Sequence, residues 1–283
     1  MSEDSLLEDI VVAVAFNTRF CETLRRRQSC LCVGLDPELD KLPPGLSHSA
    51  EGLARFCCEI ISAAAPFAAA FKVNFAFFEA LGRAGWEALA QVAAALPEGV
   101  IKIADAKRGD IGNTARLYAH AIFRELPFDA LTANAYLGED AALPFLEEES
   151  KGAFFLCRTS NPGSASVQLF PHKDQPLYLH VAREVVKWNG RNNAGLVVGA
   201  TQPVELEHLR RECPDLPFLI PGVGAQGGDL ESAVKAAGMH GDLALINASR
   251  AILYAAQDSS FAEAAARAAE SLLLKMKAAA TNM

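Results

Sequence analysis

Four charged side chains fall within six residues in the segment DAKRGD, at Asp105, Lys107, Arg108 and Asp110, directly after the largely apolar run IKIA. Residues two apart on an extended strand share a face, so Asp105 and Lys107 project the same way. A further lysine, Lys72, stands in the apolar stretch FKVN, with Asn74 two residues on. Three charges at the same end of two adjacent buried strands are costly unless they pair with one another. Taken singly, Lys72 reads as a snorkelling stem, Asp105 as a helix cap and Lys107 as surface charge. Their convergence is what points to chemistry: an ammonium fixed between carboxylates can stabilise developing negative charge and deliver a proton.

Such charges need a rigid frame. Short apolar runs alternate with longer Ala-rich runs of helical period from Leu31 onward. Strands are predicted over Leu31–Leu35, Ala69–Val73, Val100–Ala106, Phe128–Ala133, Gly152–Cys157, Gly195–Gly199, Pro217–Ile220 and Asp242–Asn247, each apolar enough to be buried on both faces. Helices are predicted over Glu51–Ala65, Phe75–Ala95, Ile111–Arg124, Pro203–Glu212 and Ser259–Ala278. Eight strand–helix units in about 250 residues is the count of a (β/α)8 TIM barrel, an α/β fold whose active sites lie at the C-terminal ends of its strands. An open doubly wound sheet is the rival. No linker divides the chain, so residues 1–283 read as one domain, with residues 1–30 an N-terminal helical extension. The basic run Arg25–Arg27 suits the C-terminal dipole of that helix and reads as structural.

Composition narrows the function. The 283 residues are 51% hydrophobic and carry 26 basic against 34 acidic side chains, a net charge of −8. That balance argues against general nucleic-acid binding but leaves room for a small anion held by local cations. The seven cysteines form no C-x-x-C pair, so reduced thiols are expected rather than a zinc site or disulfide framework. The start, MSEDSLLEDI, is acidic where a targeting peptide would be basic, and the apolar stretch Ile60–Leu81 is broken by Pro66, Lys72, Asn74 and Glu79. A soluble cytoplasmic protein, with no membrane partner, is expected. Gly222-Val-Gly224-Ala-Gln-Gly227 matches the dinucleotide pattern G-x-G-x-x-G, but it lies late in the chain, and Asp242 falls at the start of its strand rather than the end. The loop reads as a phosphate cradle within a barrel.

Five segments in order, FKVNFAFFEALG, DAKRGDIGNTA, CRTSNPGS, PGVGAQGGD and INASRAI, resemble orotidine 5′-phosphate decarboxylase, and the length and TSNPGS segment are similar to its longer bacterial form. The resemblance runs from about Leu31 to Arg250. It implies decarboxylation of orotidine 5′-monophosphate to uridine 5′-monophosphate, the last step of de novo pyrimidine synthesis, with neither cofactor nor metal. It also implies a homodimer with shared sites: Lys72, Asp105 and Lys107 from one subunit, with Asp110, Ile111 and Thr114 from the other. Loss of CO2 from C6 of the pyrimidine leaves a carbanion with no conjugated sink, so Lys107 is the expected charge stabiliser and proton donor. By the same resemblance Gln226 and Arg250 hold the phosphate and Ser160 reads the pyrimidine edge. Asp36 lies near the ribose hydroxyls, and Asn74 meets the ribose or the charged network. The glycine-rich loop Ala225–Asp229 is expected to act as a lid. The alternative within the same superfamily is a magnesium-dependent keto-hexulose phosphate decarboxylase or hexulose phosphate synthase. Those relatives need an acidic metal ligand, where this chain offers Lys72, Asn74 and DIGNT. None of the six histidines falls in a matched segment.

Overall fold

The computed structural model describes residues 14–171, 175–223, 230–236 and 242–281. Eight strands, β1 (Leu31–Leu35), β2 (Ala70–Asn74), β3 (Ile101–Arg108), β4 (Ala130–Ala133), β5 (Gly152–Arg158), β6 (Ala194–Val198), β7 (Phe218–Pro221) and β8 (Ala244–Ala248), run parallel in sequence order. Pairing of Cys32 on β1 with Asn247 on β8 closes the barrel, which settles the choice against an open sheet. The fold is the (β/α)8 barrel expected, with β1 as predicted and no strand boundary shifted by more than two residues.

The helices in chain order are α1 (Phe16–Arg27), α2 (Ala50–Ala64), α3 (Phe75–Glu79), α4 (Gly82–Ala94), α5 (Gly112–His120), α6 (Glu139–Ala142), α7 (Ala165–Gln168), α8 (Leu177–Trp188), α9 (Pro203–Glu212), α10 (Leu230–Ala236), α11 (Arg250–Leu253) and α12 (Phe261–Thr281). Local chemistry sets several of their ends. The Ser49 side chain accepts the Gly52 N–H at the start of α2, and Asp258 Oδ1 accepts both the N–H and the hydroxyl of Ser260 just ahead of α12. The single helix predicted over Phe75–Ala95 is two. Gly82 takes a left-handed φ of +61°, so the chain turns there and α4 starts afresh. The helix predicted over Ile111–Arg124 likewise changes character, and α5 widens into a π-helical turn at Ala121–Glu125.

Two apolar clusters hold the barrel. The larger lies between the outer strand faces and the surrounding helices. The smaller fills the barrel itself with Cys32, Ala70, Ile103, Ala130, Phe154, Val197, Leu219 and Leu245, and is completed by Phe16, Phe20 and Leu24 of α1. Helix α1 therefore stoppers the N-terminal end of the barrel. Phe16 and Phe20 each pack against Phe154 with ring centroids 6.0 Å apart. Gly152 makes this approach feasible, because a Cβ there would lie 2.2 Å from the Phe16 ring.

Polar side chains of α1 fasten it to the loops that enter the strands. Asn17 donates to the Ala194 carbonyl at 3.0 Å, Arg19 to Asp129 and to the Ser150 carbonyl, both at 3.0 Å, and Arg26 to the Gly99 carbonyl at 3.2 Å. Arg27 donates to the carbonyls of Ala65 and Ala68. Arg25 pairs with the buried carboxylate of Asp242 ahead of β8. The basic run is thus structural, and Asp242 serves the closed end of the barrel, away from its mouth.

Truncating the centre of this stopper should show what it contributes. Phe20→Ala removes a ring that is fully buried and should lower the unfolding free energy by about 3–5 kcal/mol. Urea unfolding measures this, and a loss under about 1 kcal/mol would mean that α1 is not part of the barrel core.

Candidate active site

Inward-facing positions are apolar at the stoppered end of the barrel and polar at the other. On β2 the order is Ala70, Lys72, Asn74, and on β3 it is Ile101, Ile103, Asp105, Lys107. The pairing of β2 with β3 sets Asn74 opposite Asp105 and Lys72 opposite Ile103. Lys72 reaches up from one layer below, and its Nζ lies 2.7 Å from Asp105 Oδ2 and 3.6 Å from Asp36 Oδ1, just past β1. The other Asp105 oxygen, Oδ1, lies 2.7 Å from Lys107 Nζ. One carboxylate therefore bridges two ammonium groups, one on each oxygen.

Burial governs how these groups hold their protons. It would push the Lys72 ammonium down, but Asp105 and Asp36 outweigh it and hold that ammonium above the usual lysine range. Burial would likewise raise Asp105, yet Lys72 and Lys107 hold its carboxyl well below the usual carboxylate range. The Lys72 side chain is only 5% exposed, whereas that of Lys107 is 51% exposed and faces the open cavity.

The end of β3 is bent to make this fit. Ala104 pairs with Leu131 and Arg108 with Ala133, so β3 spends four residues where β4 spends two. Within the bulge Lys107 takes a left-handed φ of +48°, a conformation that costs a side-chain-bearing residue about 1–2 kcal/mol. Thr132 on β4 meets the bulge from inside. Its Oγ1 accepts the Lys107 N–H at 3.0 Å and donates to Asp105 Oδ1 at 2.9 Å. From outside, Arg108 pairs with Glu79 of α3 and lies over the Phe75 and Tyr118 rings at 5.7 and 5.2 Å.

Above the charges opens a cavity of about 1070 Å³. Of the residues expected at the site, Asp36, Lys72, Asn74, Asp105, Lys107, Ser160 and Arg250 line it. Asn74 also caps α3, its Oδ1 accepting the Ala76 N–H at 3.3 Å. Asp110, Ile111 and Thr114 are not among its lining; they stand outside the cavity of their own chain, with Ile111 58% exposed. Gln226 and the loop Ala225–Asp229 lie outside the described residues.

Sequence reasoning missed several neighbours. Thr132, Asn134, Asn247 and Ser249 line the cavity from β4 and β8 or just beyond them. The signal for Thr132 and Asn247 was there: each is a polar residue at an inward position of an otherwise apolar strand. Arg158, at the end of β5, is buried and donates to the Thr159 carbonyl, Ser164 Oγ and Gln168 Oε1 at 2.6–3.2 Å. It thereby braces the loop that carries Ser160. Among the described residues, no group of three or more His, Cys, Asp or Glu is placed to share a metal ion, and no helix is long and apolar enough to cross a membrane. All seven cysteines are unpaired.

The chain has known relatives. The family described as orotidine 5′-phosphate decarboxylase / HUMPS matches residues 29–265. The chain belongs to this family. It is 48% identical over 265 residues to the orotidine 5′-phosphate decarboxylase of Herpetosiphon aurantiacus, covering 93% of this chain and 98% of that protein. Among solved structures it is similar to Leishmania donovani OMP decarboxylase, with 38% identity, a TM-score of 0.82, and coverage of 95% of this chain and 99% of that one. It is also similar to Leishmania donovani UMP synthase, with 40% identity and a TM-score of 0.84, covering 94% of this chain. The chain spans 57% of the length of that larger protein.

Replacing the bridging carboxylate should destabilise the barrel. Asp105→Asn strands a buried ammonium and is expected to cost about 3–5 kcal/mol at pH 7. The folded carboxyl value is lowered, so the wild-type contribution is complete above the unfolded value of about 3.9 and is lost as pH falls through the folded one. The gap between the two proteins in urea unfolding should be widest at neutral pH and narrow below about pH 4. A gap independent of pH would contradict the charge assignment.

Proposed function

We propose that this chain decarboxylates orotidine 5′-monophosphate to uridine 5′-monophosphate and CO2, without a cofactor. The observation that carries this reading is the Lys72–Asp105–Lys107 chain of contacts at the cavity floor of a member of this family. The bond from C6 to the carboxylate breaks, its electron pair stays on C6, and CO2 departs. Lys107 then gives a proton to C6 and is left as a neutral amine to be reprotonated from water.

The two lysines are unequal in a way that supports Lys107 as the donor. Lys72 is buried between Asp36 and Asp105, which hold its proton; it serves as a fixed positive charge. Lys107 touches one carboxylate and stands at the cavity surface, where a carbanion can be reached. Asp105 aims the Lys107 side chain and stands beside the departing carboxylate. The cation between Asp36 and Asp105 is already the Lys72 ammonium, which leaves those carboxylates no role as magnesium ligands and favours this reading over the magnesium-dependent hexulose phosphate chemistry.

Asp36 and Asn74 suit the ribose, Ser160 the pyrimidine edge and Arg250, with Gln226, the phosphate. Arg250 offers a planar fork to phosphate oxygens, next to the turn at Gly222 after β7. These contacts are remote from C6, so their binding energy can be spent on the chemical step. A homodimer that brings Asp110, Ile111 and Thr114 into the neighbouring cavity completes the site. Their position outside their own cavity supports that arrangement.

Wild-type protein should consume orotidine 5′-monophosphate, followed by the change in ultraviolet absorbance, at a rate unaffected by EDTA. Lys107→Ala should lower kcat by at least about 10³-fold while uridine monophosphate binding stays measurable by calorimetry. Turnover near wild type would refute the donor assignment.

The shared site has its own check. Lys107→Ala and Asp110→Ala should each be nearly inactive, and mixing them should restore activity, because a heterodimer concentrates both defects in one site. With subunit exchange verified by mass spectrometry, continued absence of turnover would show that Asp110 does not act across the dimer.

A further inference from the structure

We infer that Thr132 is a positioning residue for the proton donor, a clamp that fixes the Lys107 backbone and the Asp105 carboxylate with a single hydroxyl. The inference rests on the proposed decarboxylation for its kinetic consequence and on geometry for the rest.

A hydroxyl has one proton to give and two lone pairs with which to accept. The Lys107 N–H can only donate, so the 3.0 Å contact makes Thr132 Oγ1 the acceptor there. Its own proton is then free to go to Asp105 Oδ1, 2.9 Å away. The direction of both bonds is forced. Thr132 is 1% exposed, so neither bond is shared with bulk solvent.

Both ends of the clamp meet something that needs holding. Lys107 sits at φ +48° in a bulge, where no ladder bond from β4 fixes its N–H, and the hydroxyl takes the place of the missing carbonyl. The Asp105 carboxylate must present Oδ2 to Lys72 and Oδ1 to Lys107, which a rotation about its terminal bond would scramble. Its two ionic partners, Lys72 of β2 and Lys107 itself, each hold a single oxygen, and the Thr132 hydroxyl adds a second contact on Oδ1. When Lys107 has given up its proton, Oδ1 loses a cationic partner at that moment. The Thr132 hydroxyl remains, a neutral donor that keeps the carboxylate ionised and in place until the amine is recharged.

The consequence is specific to the chemical step. Thr132→Val keeps the branched shape and removes the hydroxyl, and should lower kcat about ten- to hundredfold with KM and uridine monophosphate affinity within about threefold of wild type. Thr132→Ser restores the hydroxyl without the methyl group and should return kcat to within about fivefold of wild type. A Val variant with wild-type kcat would overturn the inference. So would Ser and Val variants that are equally impaired, because the methyl packing would then be what matters.

A second readout needs no substrate. With 15N-lysine labelling, and the Lys107 amide assigned by its absence from Lys107→Ala, hydrogen exchange at that amide should be slow in wild type and Thr132→Ser. It should be faster by at least about tenfold in Thr132→Val, or in Thr132→Ala if the Val variant does not fold. A fast Lys107 amide in wild type would overturn the clamp. Slow exchange in a wild-type protein that leaves orotidine 5′-monophosphate untouched would instead retain the clamp and sink the proposed reaction.

Discussion

A single carboxylate shared by two ammonium groups is the contact on which the open end of this barrel depends. Asp105 offers one oxygen to Lys72 and the other to Lys107, both at 2.7 Å. Without it, Lys72 would be a nearly buried cation with only Asp36 at 3.6 Å to offset its desolvation. With it, a charge that burial disfavours becomes a permanent fixture, and the second ammonium is tethered at the cavity surface. The division of labour between the lysines follows from depth. The deeper one is locked in its charged form, and the shallower one faces the open cavity.

The rest of the fold can be understood as support for that contact. Phe154, Ile103 and Leu219 fill the barrel below the charges, so the network stands on a dry apolar floor. There, electrostatic interactions are stronger than in water. The bulge in β3 lifts Lys107 to the level where its ammonium can turn back to Asp105, and the Glu79–Arg108 pair secures the same strand from outside. Arg158 performs a comparable service for the Ser160 loop, using three donations from one buried guanidinium.

Much of this was legible in the sequence because strands buried on both faces must be apolar, and charges that interrupt such runs are conspicuous. Alternation along IKIADAK placed Asp105 and Lys107 on one face, and Lys72 stood out within FKVN for the same reason. What could not be read depends on partners distant in sequence. The left-handed turn at Lys107 arises from the register between β3 and β4. Threonine is an ordinary strand former, so Thr132 in DALTA carried no mark of its role beyond its parity. The Ala- and Leu-rich run from Phe75 to Ala95 keeps a helical period across Gly82, which hid the break between α3 and α4. The run Arg25–Arg27 was recognisable as structural, but its acceptors lie in loops scattered from Ala65 to Asp242.

Helix α1 grips those loops largely through main-chain oxygens: Ala65, Ala68, Gly99, Ser150 and Ala194 all present carbonyls to its side chains. Every residue type supplies a carbonyl, so this grip does not depend on what side chains the loops carry. At those five carbonyls a change of side chain leaves the acceptor in place. What the grip does depend on is the few arginines and the asparagine of one helix, and the acidic residues Asp129 and Asp242 that answer them.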